Sequence, residues 1–70
     1  MEPTEKFAHN LRGHRQRLGL SQEDLSFRAG LHRTEISLLE RAEREPRLST
    51  IVRLAHGLAV PPAELLEGIR

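Results

Sequence analysis

The stretch Gly19–Arg41, GLSQEDLSFRAGLHRTEISLLER, decides the fold. It reads as two short amphipathic helices that meet at Gly30. Ser21 suits a helix N-cap, and Asp24, three residues on, stands where a capping box places its carboxylate, although Glu or Gln is the commoner choice there. Leu25 and Ala29 face inward, and Gly30 can adopt the positive φ that turns the chain sharply. A helix of two turns is not stable alone in water, so tertiary packing must hold it. The following helix spans roughly Arg33 to Arg41. Leu31, Ile36 and Leu39 lie on its buried side, with Arg33, Thr34 and Ser37 on the other. Leu38 fits either a base-facing position or the core, because this helix carries more apolar surface than one stripe needs.

Working outward, Gly and Pro mark the ends of further short helices. The first is expected to start with Thr4 as its N-cap and to run to about Leu18, closed by Gly19, with Phe7, Leu11, His14 and Leu18 on one face. His14 is the odd member of that face. After ERAEREP, a fourth helix over LSTIVRLAHGLAV follows the helical period through Leu48, Ile51, Leu54, Ala55 and Leu58. Pro61 and Pro62 end it, and Pro62 suits the start of a last helix, AELLEGI, with Leu65, Leu66 and Ile69 as its apolar residues. The sum is an all-α, compact five-helix bundle forming a single domain over residues 1–70.

Composition supports that class and excludes others. Of the apolar 37 %, Leu dominates over Val and Ile, and the aromatic content is two Phe, which favours helices over sheets. With no Cys there is neither a disulfide framework nor a thiolate metal site, a usage that suits a reducing cytoplasm. His9, His14, His32 and His56 include no i,i+4 pair, so no metal and no cofactor is expected. No apolar run approaches a membrane span or signal peptide. Nothing resembles a Ser-His-Asp set, a P-loop or a glycine-rich dinucleotide turn, and a bundle this small leaves little room for a substrate pocket, so the chain is not read as an enzyme. Net charge is only +1. Residues 1–20 hold four basic and two acidic side chains, while residues 21–47 hold five basic and six acidic ones. Any nucleic-acid contact therefore depends on the placement of charge, not its total.

A short helix, a glycine turn and a second short helix are the parts of a helix-turn-helix DNA reader, although such hairpins also occur in many small bundles. The residues themselves carry more. LSQEDLSFRAGLHRTEISLLER, then EP and RL, then TIVRLAHGL, resemble the phage repressor and Cro family, also called the XRE family, over about residues 7–66. Ser21-Gln22-Glu23, Ala29-Gly30-Leu31, Ile36-Ser37 and Glu40 are the strongest points. Arg33-Thr34 with Ile36-Ser37 and Glu40-Arg41 looks particularly like the controller proteins of restriction-modification systems. The resemblance implies a lambda-repressor-like DNA-binding domain and a transcriptional regulator of double-stranded DNA. Four residues depart from the family. Ala42 stands where Gly is usual and costs about 1 kcal/mol if the position is left-handed. His32 and Arg47 replace Ser or Thr caps of the third and fourth helices, and Glu35 replaces an aromatic common in the controllers.

On that resemblance Gln22 is a phosphate contact, its amide sharing an anion with the helix N-terminus. Arg33 is the leading base reader, since a guanidinium can donate twice to guanine, with phosphate contact as its alternative. Thr34 can bond a base or touch a thymine methyl, and Leu38 would extend that surface. Glu35 and Ser37 flank this face; Glu35 can accept from cytosine or repel phosphate. His32, Arg41, Arg44 and Arg47 are candidates for the DNA backbone, with surface pairing to Glu43 and Glu45 as the alternative for the arginines. Arg15 and Glu40 match a structural salt bridge of the family that pins the recognition helix to the first helix. A homodimer on a palindromic operator is expected, since one head covers few base pairs, with Val52, Leu65, Leu66 and Ile69 at the interface, the alternative being that these residues complete the core of the single chain. No sensor domain follows, so no small-molecule effector is expected. The competing reading is a protein-interaction module, for instance an antitoxin, that uses Leu38 and the C-terminal helix to bind another protein.

Overall fold

A computed structural model describes residues 1–70 and contains five helices and no strand: α1 Pro3–Arg17, α2 Gln22–Ala29, α3 Arg33–Glu40, α4 Leu48–Leu58 and α5 Pro62–Leu65. One core joins them. It comprises Phe7 and Leu11 from α1, Leu25 and Ala29 from α2, Ile36 and Leu39 from α3, Ile51, Leu54, Ala55 and Leu58 from α4, and Leu65 from α5. The central pair is α2 on α4, with α1 bracing α3.

The start of α1 differs from expectation. Glu2, not Thr4, is the N-cap; Pro3 takes the first helical position, where its fixed φ and missing N–H cost nothing. The Glu2 backbone N–H donates to Glu5 Oε1 at 2.9 Å. Leu18 also departs, being 51 % exposed as the C-cap of α1. The chain reverses just beyond it, the Leu20 N–H donating to the Arg15 carbonyl at 3.1 Å, and Leu20 packs on the core instead. His14, the polar member of the α1 face, has its Nε2 3.7 Å from Glu64 Oε1 of α5.

Ser21 and Asp24 form the reciprocal capping box. Ser21 Oγ accepts from the Asp24 N–H at 2.9 Å, and Asp24 Oδ2 accepts from the Ser21 N–H at 3.0 Å. These bonds from Ser21, helped by Arg28, hold the Asp24 carboxyl below its ordinary pKa against a small opposing effect of desolvation. At the other end Gly30 takes φ 67°. Two arginines brace this turn: Arg53 Nη1 donates to the Gly30 carbonyl at 3.1 Å, and Arg28 Nε donates to the Gly57 carbonyl at 2.7 Å. Gly57 allows α4 to approach so closely, since a Cβ there would lie 3.1 Å from the Ala29 nitrogen.

Ala42 adopts φ 58°, so the left-handed turn after α3 is kept although the residue is not glycine. Its geometry is closed by the Glu43 N–H donating to the Leu38 carbonyl at 2.9 Å. Leu48, expected on the inner stripe of α4, is 77 % exposed. It is the first residue of α4, a turn ahead of Ile51, and the core has already ended there. The last helix is shorter than AELLEGI suggested. Asn10 Nδ2 of α1 donates to the carbonyls of Leu65 and Glu67 at 3.0 and 2.9 Å, which ties down the chain where α5 stops. Leu65, expected at a dimer interface, is fully buried in the core of the single chain and is not available to a partner. Leu66 and Val52 remain exposed, and Ile69 packs partly against the core.

Candidate nucleic-acid interface

The geometry of α3 separates a buried side from an outer side. Ile36, Leu39 and Glu40 are buried, and the helical period then turns Thr34, Ser37, Leu38 and Arg41 away from the core, with Arg33 and Glu35 on the two flanks. Arg33 and Thr34, at the first turn of α3, are exposed, and their side chains make no hydrogen bond or ion pair within the chain. His32, the N-cap, is exposed, and its side chain makes no capping bond. Ser37 and Leu38 are half-buried, and Leu38 lies outside the core cluster, so its apolar surface stays on the outer side.

Beneath this surface lies the pair that holds α3. Arg15 Nε donates to Glu40 Oε2 at 2.6 Å and Arg15 Nη2 to Glu40 Oε1 at 3.0 Å, a two-pronged contact with side-chain exposures of only 13 % and 3 %. The third arm, Arg15 Nη1, donates to the Leu20 carbonyl at 2.7 Å, so one guanidinium joins α1, the approach to α2 and the end of α3. Arg12 adds a bond that sequence reading did not find, its Nη1 donating to the Glu40 carbonyl at 3.3 Å. That carbonyl belongs to the last turn of α3, where a cation is favoured.

The flanking charges are arranged differently from the expected surface pairs. Arg44 pairs with Glu35, back across the turn after α3, and not with Glu43 or Glu45. Arg41 lies 3.7 Å from Glu43 and its Nε donates to the Ser37 carbonyl at 3.4 Å. Arg47 is the exposed N-cap of α4 and has no acidic partner. Gln22, at the first position of α2, is half-buried and donates its Nε2 to Glu40 Oε1 at 3.2 Å. A shallow cleft beside the turn is lined by Glu23, Phe27, Leu31, His32 and Arg33 among others, and Phe27 is 79 % exposed on its rim. The signal for Phe27 was present in the sequence, since it falls two residues after the inward Leu25 and so cannot share its face.

Two short helices joined by a glycine turn, the second starting with the exposed Arg33 and Thr34 and braced from behind by Arg15, have the geometry of a helix-turn-helix DNA-binding protein. Comparison with known proteins agrees. Residues 11–65 match the helix-turn-helix family HTH_3, and the chain belongs to that family. It is 44 % identical over 66 residues to control protein C.SmaI of Serratia marcescens, covering 94 % of this chain and 79 % of that one. It is likewise 44 % identical over 48 residues to control protein C.BamHI of Bacillus amyloliquefaciens, covering 69 % and 59 %. Among solved structures, the restriction-modification controller protein C.AhdI of Aeromonas hydrophila superposes with a TM-score of 0.86 at 42 % identity, covering 89 % of this chain and 94 % of that one. The protein is thus a DNA-binding transcription regulator of the XRE type and not an enzyme. No helix is long and apolar enough to cross a membrane.

Proposed function

We propose that the protein is a restriction-modification controller that binds a palindromic operator in double-stranded DNA as a homodimer. The observation that carries the reading is the start of α3, where Arg33 and Thr34 are exposed and their side chains have no hydrogen-bond or ion-pair partner inside the chain. Arg33 is assigned to guanine and Thr34 to an adjacent base edge or methyl, with Leu38 and Ser37 one turn further along the groove. Glu35 sits at the edge of this surface with its charge balanced by Arg44. His32, Arg41, Arg44, Arg47 and Gln22 ring it and are assigned to the phosphates, which set register without reading sequence.

Size argues for two copies. The longest dimension of the chain is 29 Å, whereas two major-groove half-sites on one face of DNA are about 34–36 Å apart. Exposed Leu48 at 77 %, Val52 at 49 % and Leu66 at 40 % supply apolar surface on α4 and beyond α5, on elements other than the reading helix. The controller role rests on the likeness to C.SmaI and C.AhdI. Selecting bound duplexes from random DNA tests the proposal. A two-fold symmetric site is expected, and Arg33→Ala should lose about 1–3 kcal/mol of discrimination at one base pair of each half-site. A single non-repeated half-site, or a concentration-independent monomer mass in sedimentation at binding concentrations, would overturn the dimer. Unchanged duplex binding by Arg33→Ala and Thr34→Ala together would favour a protein-interaction module.

A further inference from the structure

Glu40 has one contact beyond its clasp with Arg15. Its Oε1, which accepts from Arg15 Nη2, also accepts from Gln22 Nε2 at 3.2 Å. We infer that Glu40 is a positioning residue for DNA binding: it fixes the orientation of the Gln22 amide so that a donor, and not the carbonyl oxygen, is presented to a DNA phosphate. The inference rests on the regulator reading above.

The argument is one of donor and acceptor polarity. A primary amide has an NH2 end with two donors and an oxygen end that only accepts, and the two ends have almost the same shape. A solvated glutamine turns either end toward a neighbour. An ionised carboxylate only accepts, so Glu40 selects the NH2 end of Gln22. Glu40 itself is not free to turn, because Arg15 holds both of its oxygens and its side chain is 3 % exposed. One amide hydrogen of Gln22 is committed inward and the second remains. Gln22 is half-buried at the first position of α2. At this end of α2 the capping box leaves the backbone N–H groups of Gln22 and Glu23 unused, since Ser21 Oγ takes the Asp24 N–H and the Ser21 carbonyl takes that of Leu25. A phosphate also only accepts, so the polarity chosen by Glu40 is the one that a phosphate requires.

The chain Arg15–Glu40–Gln22 therefore does more than secure α3. It carries the rigidity of the α1–α3 contact to a side chain on α2, so that the phosphate contact and the recognition helix keep a fixed relation. Such a contact is already oriented before DNA arrives, and the entropy of ordering it is not charged to binding.

Two measurements test this on the full chain. In the free protein, amide spectra should show the two Gln22 side-chain hydrogens well separated, one of them slowed in exchange, whereas those of exposed Gln16 should be ordinary. On the selected operator, Gln22→Ala should weaken binding about tenfold in the wild type, the scale of one charge-assisted hydrogen bond, and less than about twofold when Glu40→Gln is already present. If Glu40→Gln does not fold, Arg15→Met with Glu40→Met supplies a packed background without the carboxylate. Equal cost of Gln22→Ala in both backgrounds, or Gln22 hydrogens as ordinary as those of Gln16, would overturn the positioning role alone. Failure of the wild type to bind any duplex would overturn the regulator reading as well.

Discussion

At the scale of the residue, Ala42 is one of two alanines, with Ala59, held in a conformation that a side chain does not favour. Its φ of 58° lies in the left-handed region, where a Cβ meets the following carbonyl and costs about 1–2 kcal/mol. The chain accepts this because the turn is closed by the Glu43 bond to Leu38 and leads Arg44 back to Glu35. Ala42→Gly should therefore stabilise the fold by up to about 1 kcal/mol, less the extra entropy that glycine gives the unfolded chain, and raise the Tm by several degrees. A lower Tm for this variant would show that the turn gains more from the alanine side chain than it loses. Asp24 is a residue-scale case of linkage. Its pKa is lowered from 3.8 in the folded state, chiefly by the backbone and side chain of Ser21. A lowered carboxyl contributes stability that is complete above the unfolded value and is lost as pH falls through the folded one. The melting gap between wild type and Asp24→Asn should accordingly be constant at neutral pH and shrink below about pH 4. A gap that persists undiminished at pH 2 would mean that the carboxylate charge is not what the cap uses.

At the scale of the element, α3 is only eight residues long and is held by what stands behind it. Arg15 meets both oxygens of a buried carboxylate, so Arg15→Ala leaves Glu40 charged and unmatched and should cost roughly 3–5 kcal/mol. A chain of this size has a total stability of only several kcal/mol, so this variant should be largely unfolded at temperatures where the wild type is intact. Arg33→Ala, which removes an exposed side chain without a partner, should melt with the wild type. Calorimetry of the two variants decides it, and equal melting of Arg15→Ala and wild type would remove the structural role. The same elements show what a sequence can disclose. The capping box of α2, the turn at Gly30 and the inward Ile36 and Leu39 are local features, set by residues within a few positions of one another, and they were legible. So was the pairing of Arg15 with Glu40, through likeness to a family and not through spacing. Leu18 and Leu48 were misplaced because helical period tells which side a residue faces, while its burial depends on whether a neighbouring element reaches that far. Leu65, expected at an interface, is buried for the same reason: the period cannot tell a core within one chain from one completed by a partner. Gln22 with Glu40 depends on how separate helices meet, and Arg44 with Glu35 on how the loop after α3 folds back on that helix, which no local pattern records.

At the scale of the molecule, the balance of charge sets how binding responds to salt. The net charge is only +1, and three arginines near the reading helix already have acidic partners: Arg15 with Glu40, Arg41 with Glu43 and Arg44 with Glu35. Affinity falls with salt because cations condensed on DNA are released when protein charge neutralises phosphate. An arginine that exchanges a carboxylate for a phosphate leaves the carboxylate bare and close to other phosphates, so the net neutralisation is smaller than the number of contacts. Arg33 and Arg47, which have no such partner, should carry most of the release. A reader making 6–10 full phosphate contacts loses about 10³- to 10⁵-fold in affinity between about 50 and 200 mM salt. Operator binding by this protein should fall by less than that, and Glu35→Gln, which frees Arg44, should steepen the dependence. Binding isotherms over that salt range for the two proteins provide the check. A wild-type loss of the full size, unchanged in Glu35→Gln, would mean that Arg44 and Arg41 leave their carboxylates at no cost, and that the acidic residues around α3 do not govern its approach to DNA.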